Sequence, residues 1–131
     1  MKNTIFKLTE YVYYFSLLVL LILYLFPGSL IGYFLYGNSS QQPNLIANPI
    51  GTSINHLIFF SYITLLAIIV RLRIKNIFTN YLFILFISCV LEIFHLLVPN
   101  RAFELYDLLA NFTGVVIILL INSFIKWQKY L

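Results

Sequence analysis

Charged residues are scarce in this sequence: they make up 9% of it, whereas hydrophobic residues make up 62%. An average soluble chain carries about 25% charged and about 45–50% apolar residues. A soluble domain of 131 residues has too little interior to bury so much apolar surface. The composition therefore excludes an ordinary soluble domain and indicates a protein whose first partner is the lipid bilayer.

Cysteine is almost absent as well. The single Cys89 lies within an apolar run, so no disulfide can form within the chain and the redox compartment cannot be inferred. The sequence also lacks internal repeats, a heptad pattern and a phosphate-binding glycine loop. The net charge of +4 does not indicate nucleic-acid binding, because the basic residues lie in short clusters between apolar runs. We expect no cofactor and no nucleic-acid partner.

Four apolar runs predict four transmembrane helices, over about residues 10–27, 54–71, 76–98 and 105–125. A bilayer core of about 30 Å needs about 20 helical residues. The first run is longer than the apolar part of a signal peptide and no A-x-A-like site follows it. We therefore expect a retained helix that Pro27-Gly28 ends or kinks. The predicted fold is an all-α bundle of four transmembrane helices.

The connection over about residues 27–53 has two parts. Its first part, FPGSLIGYFLYG, is apolar and is expected to lie along the membrane interface or to dip into it. Its second part, NSSQQPNLIANPIGTS, is rich in turn-forming residues and is expected to be an irregular loop.

Lysine and arginine predict the orientation of the bundle. With four crossings, seven of the eight basic residues fall on one side: Lys2, Lys7, Arg71, Arg73, Lys75, Lys126 and Lys129. Only Arg101 falls on the other side. Both termini are therefore predicted to be cytoplasmic, with Trp127 and Tyr130 as aromatic anchors at the inner interface.

Four ionisable side chains fall within the apolar runs: His56, Glu92, His95 and Asp107. An acid at the bilayer centre costs on the order of 2.5–3.5 kcal/mol, and a chain does not need such residues in order to span. The predicted orientation places all four, together with Asn111, in one layer near the outer face. Ionisable residues in this position usually face the bundle interior and often mark a functional site.

Helical spacing groups these residues into two stripes at i, i+4 and i+7. The stripes are Ser88, Glu92 and His95 on one helix, and Asp107, Asn111 and Gly114 on the next. A tight turn around Pro99-Asn100 makes these helices antiparallel neighbours, and Gly114 allows a neighbouring helix to approach closely. We expect Arg101 to reach Glu92 or Asp107 and to form a charge-assisted pair.

Several of these residues follow one another in a recognisable order: His56, Glu92, Pro99-x-Arg101 and Asp107-x-x-x-Asn111-x-x-Gly114. The pattern resembles that of the VanZ-like family of bacterial membrane proteins, which has a His, an E-x-x-Q, a P-x-R and a D-x-x-x-N-x-x-G. The match covers about residues 53–116. The sequence departs from the family pattern at His95, where Gln is common, and at Thr52-Ser53, where many members carry Asp-Lys.

The resemblance implies that residues 1–131 form a single VanZ-like transmembrane domain in the inner membrane of a bacterium. It also implies a role in the cell envelope, since the namesake of the family confers low-level resistance to the glycopeptide antibiotic teicoplanin. It implies no particular reaction, because most relatives have no established biochemical activity. The departures from the pattern bear on the ligand or partner rather than on family membership.

Two functions are compatible with these residues. The first is a non-enzymatic envelope protein whose outer polar site binds a glycan, a lipid headgroup or an amphiphilic glycopeptide-type drug, or docks another membrane protein. The alternative is an enzyme that modifies a lipid-linked or glycan substrate at the outer leaflet, with His56, Glu92 and Asp107 as candidate catalytic residues. A purely structural ion-pair network is compatible with either. A transporter is disfavoured, because no ionisable residue lies in the inner halves of helices two to four.

Metal binding and nucleophilic catalysis are not expected from the sequence. Glu92-x-x-His95 places two possible ligands on one helix face, as in di-iron bundles, but those bundles use more carboxylates than this chain offers near the site. The zinc-binding H-E-x-x-H motif is absent. Ser88 lies two turns from His95, and Cys89 is expected to pack as a small hydrophobe.

Overall fold

The computed structural model describes residues 2–43 and 51–129, and these residues form five helices and no strand. The helices are α1 (Lys2–Leu25), α2 (Leu30–Tyr36), α3 (Gly51–Arg71), α4 (Tyr81–Phe94) and α5 (Leu105–Gln128). The all-α prediction is therefore confirmed. Residues 44–50 of the predicted irregular loop, and the predicted anchor Tyr130, lie outside the described residues.

Three of the helices are long and apolar enough to cross a membrane: Asn3–Leu25, Gly51–Arg71 and Leu105–Gln128. Their apolar side chains lie mostly on the outside of the bundle, since fewer than half of the residues in each are buried. A soluble protein rarely exposes such continuous apolar surface, whereas lipid solvates it. These three helices indicate a membrane protein.

The helix predicted over residues 76–98 is shorter than expected: α4 covers only Tyr81–Phe94. Its 14 residues rise about 21 Å, against the roughly 30 Å of a bilayer core. Asn80 stops the helix from starting earlier, since its side chain caps the first turn by accepting from the Leu82 N–H. Beyond Phe94 the apolar residues continue in turns up to Pro99, which has no N–H to donate.

Other boundaries differ in the opposite direction, because two helices extend beyond their predicted ends. Helix α1 begins at Lys2 rather than near residue 10, and α5 continues to Gln128. The apolar segment after Pro27-Gly28 folds into the seven-residue α2, which Ser29 caps by accepting a hydrogen bond from Gly32. Gly37 ends α2 at a φ of 66°, a left-handed conformation that glycine adopts without strain.

Helix α3 lies at the centre of the bundle and packs most extensively against α5, with α1 on another side. Helix α4 packs mainly against α5. The core between the helices is built from Tyr13, Leu20, Phe60, Ile63, Ile84 and Val115. Gly114 of α5 faces α3 so closely that a Cβ there would lie 2.5 Å from the Leu57 carbonyl oxygen. This contact brings the polar residues of α3 and α5 together one turn away.

Candidate functional site

Six polar side chains from four helical segments meet in the interior of the bundle, and we call them the polar cluster. Its members are Tyr24 of α1, His56 of α3, Glu92 of α4, His95 at the end of α4, and Asp107 and Asn111 of α5. Glu92 and Asn111 are fully buried, and His95, Asp107 and Tyr24 are exposed by 8% or less. Such burial of polar groups requires partners, so the contacts of each member are informative.

His56 lies at the centre of the cluster. Its Nδ1 atom is 2.7 Å from the Tyr24 hydroxyl, 3.2 Å from Asn111 Oδ1 and 3.7 Å from Glu92 Oε2. Its Nε2 atom is 3.6 Å from Asp107 Oδ2. One imidazole ring therefore faces both carboxylates of the cluster, one from each neighbouring helix.

Asn111 determines how the ring of His56 is held. Its Nδ2 group donates to the Ser88 carbonyl oxygen at 3.1 Å, which leaves Oδ1 as the atom that faces the cluster. That oxygen accepts a hydrogen bond from the Tyr24 hydroxyl at 2.9 Å. Because an amide oxygen only accepts, the orientation of Asn111 favours a proton on His56 Nδ1 and leaves Nε2 with its lone pair toward Asp107.

The two carboxylates have incomplete sets of partners. Asp107 Oδ1 accepts a hydrogen bond from the Ser53 hydroxyl at 2.6 Å. Glu92 Oε1 accepts from the Glu104 backbone N–H at 3.3 Å and lies 3.1 Å from His95 Nδ1. Glu92 Oε2 is buried and has no hydrogen-bond partner among the described residues. An ionised carboxylate accepts several hydrogen bonds when it is satisfied, so this oxygen has capacity left over.

Arg101 does not form the predicted pair with Glu92 or Asp107. Its Nη2 group instead donates to the backbone carbonyl oxygen of Leu23 at 2.9 Å, and no ion pair with either acid is present within residues 2–43 and 51–129. Burial lowers the pKa of Arg101, but a guanidinium keeps its proton in proteins. The positive charge therefore lies beside the cluster and ties the α4–α5 connection to the end of α1.

A partly open cavity of about 130 Å³ lies against the cluster. Its polar wall is formed by Tyr24, His56, His95 and Arg101. Its apolar lining comes from Leu23, Leu30, Ile31 and Phe59. Helix α2 thus contributes to a space that is lined by a positive charge, two imidazoles and several apolar side chains.

Two members of the site were missed by reasoning from the sequence: Tyr24 as a cluster residue and Ser53 as the partner of Asp107. Tyr24 stacks on His95 with ring centroids 5.0 Å apart, and it links that ring to Asn111. A hydroxyl in the otherwise aliphatic stretch LLVLLILYLF was the available signal. Ser53 precedes His56 by three residues and so shares its helix face.

Ser88 and Cys89, at which nucleophilic catalysis was not expected, do not contact the histidines. The Ser88 hydroxyl donates to the Leu85 carbonyl oxygen of its own helix at 2.7 Å, and it lies 3.9 Å from the Cys89 sulfur. His56, Glu92 and Asp107, by contrast, each present an atom within 4.8 Å of the others, which is the spacing of a possible ligand set. The arrangement is therefore suited to exchanging protons or holding a cation rather than to forming a covalent intermediate.

Comparisons of this chain with protein-family models, with curated proteins and with solved structures found no match.

Proposed function

We propose that this chain is a multi-pass protein of the bacterial inner membrane and that its cavity binds the headgroup of an amphiphilic envelope molecule. The proposed topology has four crossings and cytoplasmic termini, with α4 and its flanking turns as the third crossing. The positive-inside distribution supports it, since Arg101 alone lies at the end of the bundle that carries the cavity. The resemblance to the VanZ-like family is in keeping with an envelope role.

The lining of the cavity carries this proposal. Arg101 lines the cavity and has a buried Nε atom without a hydrogen-bond partner among the described residues. A guanidinium binds phosphate or carboxylate groups in a planar, bidentate way. The aliphatic residues of the cavity lining suit the first carbons of an acyl or prenyl chain. We therefore expect an amphiphile with an anionic headgroup, such as a phosphate-bearing lipid or lipid-linked glycan.

The binding proposal is tested by identifying lipids that remain bound after purification. The protein is purified in mild detergent, and retained amphiphiles are measured by mass spectrometry for the wild type, Arg101→Gln and Arg73→Gln. Arg73 is a suitable control because its guanidinium donates to Asn3 and lies over the Phe6 ring, away from the cavity that Arg101 lines. We expect Arg101→Gln alone to lose an anionic amphiphile. Equal retention by all three proteins would refute the proposal.

The topology is tested separately by labelling single cysteines in a Cys89→Ser background. A cysteine at Ala102 lies in the connection next to Arg101, and a cysteine at Asn3 lies near the N-terminus. We expect an impermeant thiol reagent added to intact cells to label the cysteine at position 102 only. Labelling of position 3 alone would reverse the proposed orientation.

A second candidate, favoured by the position of His56, is an enzyme acting on such an amphiphile. His56 lines the cavity and also faces both carboxylates, which is the arrangement of a general base with orienting acids. Lipid and cell-wall extracts from a deletion strain complemented with the wild type or with His56→Ala distinguish the two functions. A component that depends on His56 supports catalysis, whereas identical extracts from the deletion and complemented strains argue for binding alone.

A further inference from the structure

The polar cluster contains more buried negative charge than its described partners neutralise. Glu92 is fully buried and Asp107 is 5% exposed, yet neither forms an ion pair with a lysine or arginine of the described chain. Ionised carboxylates at such sites are ordinarily paired or bound to a metal, because their desolvation is costly. The groups that contact them are the Ser53 hydroxyl, the Glu104 backbone N–H and the rings of His56 and His95. A hydroxyl, a backbone N–H and a neutral imidazole supply no charge.

The orientation of the His56 ring also favours a cation at this site. The Asn111 oxygen favours a proton on Nδ1, which leaves the lone pair of Nε2 directed at an Asp107 oxygen 3.6 Å away. A lone pair facing a carboxylate is repulsive unless a cation lies between the two. Histidines that bind metals usually donate the other ring N–H to a fixed acceptor, which is the role Asn111 Oδ1 has the geometry to fill.

Glu92 also has an oxygen without a hydrogen-bond partner among the described residues. Oε2 is completely buried and lies 3.7 Å from His56 Nδ1. His56, Glu92 and Asp107 each offer one possible ligand atom, and these three atoms lie within 4.8 Å of one another. Around a tetrahedral Zn²⁺, nitrogen and oxygen ligands at about 2.0–2.2 Å from the metal lie about 3.4 Å apart. Binding of the ion requires these side chains to rotate so that their separations, which reach up to 4.8 Å, shorten to that spacing.

We propose that His56 Nε2, Glu92 Oε2 and Asp107 Oδ2 bind one divalent transition-metal ion of the Zn²⁺ type. An imidazole nitrogen in the donor set favours such ions over Mg²⁺ and Ca²⁺, which prefer oxygen ligands. Three protein ligands leave a coordination position for water or a ligand oxygen. This departs from the expectation of no metal, which was based on the small number of carboxylates near Glu92-x-x-His95. The site does not depend on what the cavity binds.

The test is a Zn²⁺ titration of the purified full-length protein, with its affinity tag removed and after treatment with a chelator. Bound zinc is measured per chain by elemental analysis, and the affinity by competition with a fluorescent zinc indicator. We expect about one Zn²⁺ per chain. Loss of a ligand in Glu92→Gln or Asp107→Asn is expected to weaken zinc affinity by more than the roughly 10–100-fold that is typical when a residue holding a ligand is changed. Asn111 holds the His56 ring, so Asn111→Leu is expected to weaken zinc affinity by about 10–100-fold.

Glu10→Gln is the matched control, because it makes the same chemical change on α1 outside the cluster. Substoichiometric zinc in the wild type, or equal affinity in Glu10→Gln and Glu92→Gln, would overturn the proposal. Where a cluster variant fails to fold, X-ray absorption of the zinc-loaded wild type decides the question. A first shell of nitrogen and oxygen that includes one imidazole supports the site, whereas a sulfur ligand assigns the zinc to Cys89 and overturns it.

Discussion

The two ends of α4 carry two polar regions that differ in how completely their hydrogen bonds are made. Before α4 lies the α3–α4 connection, residues 72–80, and at its end lies the polar cluster. Both regions bury polar side chains, and both contact a tyrosine of α1: Tyr13 at the connection and Tyr24 at the cluster. The difference between them separates polar groups that hold the fold from those that are available for a ligand.

In the α3–α4 connection the polar groups of the buried Thr79 all have hydrogen-bond partners. The Thr79 hydroxyl donates to the Ile74 carbonyl oxygen at 2.9 Å and accepts from the Asn76 N–H at 3.2 Å, while its own N–H donates to Asn76 Oδ1 at 3.0 Å. The Thr79 carbonyl oxygen accepts from Arg71, and that of Phe78 accepts from Tyr13. The hydrogen bonds of this region join neutral groups, apart from those that Arg71 and Arg73 donate.

The polar cluster contains buried atoms that lack a hydrogen-bond partner among the described residues. Glu92 Oε2 and His95 Nε2 are buried without hydrogen-bond partners among the described residues, and so is Arg101 Nε beside them. Native proteins leave few such atoms, and those they leave call for an explanation. A site that binds a cation or an anionic group supplies the missing partners, and sequences often break local rules at functional sites.

The largest effect is expected where packing, rather than polar contact, holds the cluster together. Gly114→Leu would drive a side chain into the Leu57 carbonyl and the Ser61 hydroxyl. We expect the free energy of unfolding to fall by about 3 kcal/mol or more, at the upper end of overpacking effects. Thermal unfolding in detergent measures this, with the exposed neighbour Thr113→Leu as the control. Equal stability of both variants would show that α3 and α5 do not pack through Gly114.

The next effect should come from the α3–α4 connection. Thr79→Val keeps the shape of the side chain but removes the hydroxyl, which leaves the Ile74 carbonyl oxygen and the Asn76 N–H without that partner. The expected loss of unfolding free energy is about 2 kcal/mol. Thr9→Val removes a hydroxyl that donates to the Ile5 carbonyl oxygen of its own helix at an exposed position, so little change in the free energy of unfolding is expected. A Thr79 variant as stable as the Thr9 variant would contradict the structural role of the connection.

The polar cluster should respond in the opposite direction. Glu92→Gln removes a buried charge that lacks a fixed cationic partner, while the amide oxygen retains the contact with the Glu104 N–H. In metal-free protein we expect the free energy of unfolding to rise by about 1 kcal/mol, a fraction of the membrane cost of an acid. Chemical unfolding in the presence of a chelator measures it. A loss of stability would indicate that Glu92 is part of a structural network like that around Thr79.

Much of this architecture follows from the sequence. The all-α fold and the long apolar helices are readable from hydropathy alone, because three of the predicted helices are long enough to span. The order and predicted directions of the helices also suggested one layer for His56, Glu92, Asp107 and Asn111, and the structure brings these four together. The number of crossings and the cytoplasmic termini stay predictions.

The ends of α4 and the partner of Arg101 were not predictable in the same way. Hydropathy does not distinguish apolar residues in a helix from those in turns, and Leu96 and Leu97 are apolar, exposed and beyond the helix end. The Arg101 side chain is long, and its choice of the Leu23 carbonyl depends on where α1 ends in space. Tyr24 was missed for a related reason, since its partner Asn111 is 87 residues away in the chain.

The smallest effect provides the closest comparison of the two regions, because it is the same substitution on the same helix. Tyr13→Phe removes the hydroxyl of a fully buried side chain and leaves the Phe78 carbonyl oxygen without its tyrosine donor, and we expect a loss of about 1 kcal/mol. Tyr24→Phe leaves His56 Nδ1 still 3.2 Å from Asn111 Oδ1, so the two can pair directly and the loss should be about 0.5 kcal/mol or less. Chemical unfolding of both variants under one condition measures the difference. If Tyr24→Phe proved the more costly of the two, the polar cluster would be the more tightly coupled region, and its unpaired atoms would no longer set it apart from the α3–α4 connection.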